Sequence, residues 1–92
     1  MKRYELDGLK EGYEIISPIT VEEVRFMDCN DSYVSLTVVG LENEAIFGLA
    51  KRFSEAKEML IDVLIKYYEC LKNSEDEPDK EVLMRSIRES YT

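Results

Sequence analysis

From Ile46 to Cys70 the apolar residues stand alternately three and four apart: Ile46, Leu49, Phe53, Ala56, Leu60, Val63, Tyr67 and Cys70. This spacing lines one side of a helix and forms the seam of a coiled coil. It predicts one long helix from Glu42 to Lys72, about 45 Å at the usual rise per residue. Acidic Glu42 and Glu44 near its start, and Lys66 and Lys72 toward its end, suit the helix dipole. Gly48 falls in the first turns of this helix, marking either a close backbone approach or a frayed start. Pro78, Asp79 and Glu81 open a second helix. It is expected over 78–91, with Leu83, Met84, Ile87 and Tyr91 on one face. The short polar loop over 73–77 returns it antiparallel to the first.

The first forty residues carry a different period. Tyr4 and Leu6 alternate with Arg3, Glu5 and Asp7, as in a half-buried strand. Tyr13 to Ile16 reads as a second short strand. Val24 to Asp28 and Tyr33 to Val39 read as a hairpin across the turn residues Cys29, Asn30, Asp31 and Ser32. Val34, Leu36 and Val38 share one face and Ser35 and Thr37 the other, and in the first strand Val24 and Phe26 share a face. Thr20 with Glu23 matches a capping box, so a helical turn over Val21 to Arg25 competes with strand there. β-Branched and aromatic residues favour strand from Val24 onward. The expected fold class is α+β. A small antiparallel β-sheet of about three to four strands precedes a long helix and an antiparallel shorter helix. The chain is read as one domain over 1–92, with a β-meander at 1–40, the long helix at 42–72 and the second at 78–91.

Ten of the thirteen residues from Met59 to Leu71 are apolar, and only Asp62, Lys66 and Glu69 interrupt them. A helix apolar nearly all round must be covered nearly all round. The second helix and a small sheet leave Ile61, Ile65 and Tyr68 undercovered, which predicts a self-association or partner surface. Its expected residues are Ile61, Leu64, Ile65, Tyr67, Tyr68 and Leu71, with Tyr91 from the second helix. The alternative is that the sheet folds across the helix and buries everything.

Composition narrows the chemistry. The 92 residues include 20 acids and 12 bases, a net charge of −8. Such a chain is repelled by nucleic acid and anionic membranes, and a basic partner suits it better. There is no histidine, which removes the commonest general base, metal ligand and nucleophile partner. No run approaches the roughly 18 apolar residues of a membrane span. Met1, Lys2 and Arg3 are followed at once by Glu5 and Asp7, unlike an export signal. A cytoplasmic protein with reduced Cys29 and Cys70 is expected. Glu55, Glu58 and Asp62 share a helix face, and acids crowd the stretch from Glu75 to Glu81. Solvated surface accounts for both, so no metal, cofactor or catalytic residue is assigned.

The stretch from Val24 to Leu71 resembles the small accessory proteins of phages and prophages. The features shared are the strand Tyr33 to Val39, then Asn43, Glu44 and Ala45, then Leu49, Ala50 and the Leu-rich run from Leu60 to Leu64. The Ala-Ala-Pro break of that pattern is missing. The resemblance implies a small protein that acts on host machinery or defence by binding, as inhibitors and ligand sponges do. It carries over no functional residue. The expected function is a non-enzymatic protein that self-associates and binds, and thereby inhibits, a macromolecular partner. One alternative is an oligomeric sponge for a small nucleotide-like ligand held by tyrosines and lysines. Another is a nucleic-acid mimic that occupies a basic groove.

Overall fold

The computed structural model describes residues 2–90. Along them run β1 (Lys2–Glu5), β2 (Tyr13–Ile15), β3 (Thr20–Asp28), β4 (Asp31–Val38), β5 (Phe47–Ala50), α1 (Phe53–Lys72), α2 (Pro78–Ser86) and β6 (Ile87–Glu89). The fold is α+β. Four antiparallel strands form a sheet in the order β1-β3-β4-β5, and β2 pairs antiparallel with β6 in a separate ribbon.

The β3–β4 hairpin forms where alternation predicted it. Its turn is tighter than expected: Asp28 faces Asp31, leaving only Cys29 and Asn30 between the strands. Both have positive φ, 49° and 74°, as the twist of a two-residue hairpin turn requires. β3 starts at Thr20, so the helical alternative over Val21 to Arg25 does not form. Val21 faces Val38, and both are buried.

The long helix is shorter than the ladder suggested. α1 begins at Phe53, and Phe47–Ala50 form a strand instead of its first turns. Pairing with β4 explains the change. Without β5, the backbone groups along one side of β4 would be left open. Gly48 makes the arrangement possible, because it faces Leu36 across the sheet and lies directly against the backbone of α1. The ladder thus spans two elements. Of its helical members only Ala56 and Leu60 are buried; beyond them the buried row runs through Leu64, Tyr68 and Leu71, leaving Val63 and Tyr67 half-buried and Cys70 exposed.

The C-terminal helix also ends early, at Ser86. Ile87 adopts an extended backbone, φ −124°, and enters β6 opposite Ile15. The 1–40 meander is therefore interrupted, since β2 leaves the sheet to find its partner near the other end of the chain. Tyr13 seals the ribbon to α1: its hydroxyl donates to Glu69 Oε1 at 2.6 Å. Lys72 donates to Glu69 Oε2 at 3.2 Å and to Glu89 Oε1 at 2.7 Å. The bond to Glu69 foremost, with burial, pushes the Tyr13 phenol up to about 12. One hydrophobic cluster joins the layers, drawing Val21, Val34 and Leu36 from the sheet, Leu60 and Leu64 from α1, and Leu83 and Ile87 from the C-terminal part.

Candidate interaction surface

The helix surface expected to meet a partner is intramolecular core. Leu64 is fully covered, and Ile65, Tyr68 and Leu71 are 6%, 5% and 2% exposed. Ile61 and Tyr67 are half-buried and pack against the core cluster. Tyr91 lies outside the described residues. The premise of undercoverage fails because α1 packs against β4, β5 and α2 together. A β5 built from the expected helix start adds cover that a three-element count omits. Ile65→Ala should therefore lower stability by about 2 kcal/mol in urea unfolding, the cost of a buried side chain rather than of a free surface.

The exposed apolar surface lies on the other side of the sheet. Residues opposite one another in an antiparallel pair share a face. Phe26 stands opposite Tyr33, Val24 opposite Ser35, and Glu22 opposite Thr37. Ser35 and Thr37 in turn face Leu49 and Phe47 of β5. This face is opposite Val34, Leu36 and Gly48, which point toward α1. Val24, Phe26, Phe47 and Leu49 are between 37% and 41% exposed. The Phe26 and Tyr33 rings stack with centroids 5.7 Å apart. Exposed apolar side chains gathered on one sheet face, here on β3 and β5 to either side of Ser35 and Thr37, are the kind of surface that marks an interface.

Charge frames this patch. By the same register, Arg3 and Glu5 of β1 lie on this face, paired with Glu22 and Thr20. Asp28 and Asp31 close it at the hairpin tip. Arg3 contacts Glu22 at 3.2 Å, and Lys51 contacts Asp31 at 3.4 Å. Both bases of the rim are thereby matched, while Glu5 and Asp28 make no ion pair among the described residues. The signal was present in the sequence. With an even number of residues in the turn, as in the two-residue turn observed, a hairpin that puts Val34, Leu36 and Val38 inward turns Val24 and Phe26 outward.

Of the other acidic motifs, the α1 face makes surface ion pairs and the loop before α2 turns one carboxylate inward. Glu55 lies 3.9 Å from Arg52, and Asp62 pairs with Lys10. Among the described residues no group of three His, Cys, Asp or Glu could hold a metal ion. Asp79, from the acidic stretch, is turned inward and 2% exposed. It accepts hydrogen bonds from the backbone of Glu42 at 2.7 Å and Asn43 at 3.0 Å, and from the Tyr67 hydroxyl at 2.7 Å. Burial drives its carboxyl upward, but the three donors outweigh this and hold it below the ordinary value. Tyr67 is pushed up to about 12, by burial first and by Asp79 second. Both cysteines are free and exposed. Among the described residues, no helix is long and apolar enough to cross a membrane.

No protein-family model matches the chain, and neither does a curated protein or a solved structure.

Proposed function

We propose that this is a non-enzymatic binding protein that docks a basic protein partner on the outer face of its four-stranded sheet. The clustering of exposed Val24, Phe26, Phe47 and Leu49 opposite α1 carries the reading. The acidic rim selects the partner. Two copies packed face to face would bring the Glu5 and Asp28 of each, which make no ion pair among the described residues, to one interface, adding to a charge of −8 per chain. A surface with apolar anchors ringed by lysine and arginine meets both features. Inhibition follows if that surface is one the partner needs. This agrees with the resemblance to phage accessory proteins.

Self-association through α1 loses its support, because Leu64, Ile65, Tyr68 and Leu71 are buried within a single chain. A nucleotide sponge needs uncommitted tyrosines and lysines. Tyr13, Tyr67 and Lys72 are engaged by Glu69, Asp79 and Glu89.

Affinity capture followed by titration of the purified captured protein tests the proposal. Phe26→Ser combined with Phe47→Ser should leave the fold intact, since both residues are exposed. It should weaken binding by about tenfold or more. Added salt should slow association with the wild type. Undiminished affinity in the folded double variant would remove the sheet face from the proposal.

A further inference from the structure

The backbone of β3 offers a contact distinct from the side-chain face. β4 pairs with β3 from Val21 to Asp28, but β1 flanks only Thr20 to Glu23 on the other side. Two hydrogen bonds fix which way the backbone groups point. Leu6 N donates to Ile19 O at 2.8 Å on the β1 side, and Val39 N donates to Thr20 O at 2.9 Å on the β4 side. Alternation then turns the N–H and C=O of Arg25 and Met27 away from β4, beyond the end of the β1 pairing. Among the described residues none pairs with them there. Both residues are exposed, Met27 at 73%.

Open edges are usually blunted by charge, proline or cover. The β5 edge has cover: Leu49 N donates to Met59 Sδ at 3.3 Å. Among the described residues the β3 edge has neither proline nor cover. Its one guarding charge, Arg25, lies along the strand with its Nε 3.1 Å from Glu23.

We infer that the Val24–Asp28 edge of β3 accepts an extended basic segment of the partner as an added antiparallel strand. This deepens the proposed function and rests on its basic partner. The added strand extends the outer face, so alternate residues lie beside Val24 and Phe26 and must be apolar. The residue beside Asp28 must be lysine or arginine. A second copy fits less well. Its own β3 would bring another Asp28 into an apolar row and another −8 of charge.

The test is an amide NMR titration of the full chain with the blocked peptide Lys-Thr-Val-Thr-Val, against an analogue with glutamate in place of the lysine. The lysine peptide should bind saturably and about fivefold more tightly than the glutamate one. At saturation, hydrogen exchange at Arg25 and Met27 should slow by about tenfold or more. Met27→Pro removes an outward N–H without breaking the β4 ladder, so the variant should fold and lose the peptide. Should it not fold, the exchange measurement on the wild type decides. Absence of saturable binding, or equal binding of both peptides, overturns the inference. Unslowed exchange at Arg25 and Met27 also overturns it, and shifts confined to Phe26 and Phe47 would then leave the sheet-face reading standing. A dimer in sedimentation that Met27→Pro dissolves would assign the edge to a second copy and overturn it as well.

Discussion

Gly48→Ala is expected to destabilise the protein by about 4 kcal/mol, or to prevent folding. A Cβ at this position would stand 2.0 Å from the carbonyl oxygen of Ala56 and 2.9 Å from the backbone nitrogen of Leu60. Neither neighbour is a side chain that can rotate away. β5 is hydrogen-bonded to β4 on one side, and its Gly48 backbone touches α1 on the other. Relief therefore requires the helix to lift from the sheet, and lifting it opens the contact that buries Leu36, Ala56 and Leu60. Thermal unfolding should show Tm falling by roughly 20 °C. Gly8→Ala is the matched control. No atom lies within 4 Å of its added Cβ, and its φ is not positive, so stability should be unchanged or slightly raised. Equal behaviour of the two variants would show that β5 does not sit against α1 in solution. The change also has a functional consequence: β5 contributes Phe47 and Leu49 to the outer face, so a displaced β5 loses half of the proposed apolar contact.

Asp79→Asn should cost about 3 kcal/mol. The carboxylate meets three donors. An amide offers one acceptor oxygen, and its NH2 would face a backbone N–H or the Tyr67 hydroxyl. The residues tied down are Glu42 and Asn43, in the segment that leads from β4 to β5. Losing the anchor frees the connection that the long helix was expected to occupy. The pH dependence has a definite sign. Because the folded-state pKa lies below the unfolded one, the contribution is complete above the unfolded value of about 3.9. It is lost as pH falls through the lower folded value. Urea midpoints should therefore separate wild type from Asp79→Asn at neutral pH, with the gap closing in acid below about pH 4. A constant gap across that range would mean that the carboxylate charge is not what the three donors hold.

Both predictions concern places where the sequence is silent about its own folding. At Gly48 the apolar spacing of Ile46 and Leu49 fits a helix as well as a strand beside a turn. Nothing local distinguishes them. At Asp79 the side chain stands among Glu75, Asp76, Glu77 and Glu81, and only its position inside the first turn of α2 separates it from solvated neighbours. The outer sheet face was closer to hand. Val24 and Phe26 alternate out of phase with Val34, Leu36 and Val38 across one turn, so a register drawn through that hairpin places them on the uncovered side.

Local pattern alone determined the α+β class, the β3–β4 hairpin, the inward row of Val34, Leu36 and Val38, and the start of α2 at Pro78. These follow from side-chain period and from turn and cap chemistry, which act over a few residues. Tertiary structure decided that Phe47–Ala50 is a strand, that Ile87–Glu89 closes on β2, that the apolar run of α1 is core, and that Asp79 turns inward. The two strand pairings and Asp79 rest on backbone or carboxylate groups satisfied by partners distant in sequence, the α1 core on apolar packing against β4, β5 and α2, and the period of the local chain does not record where those partners lie.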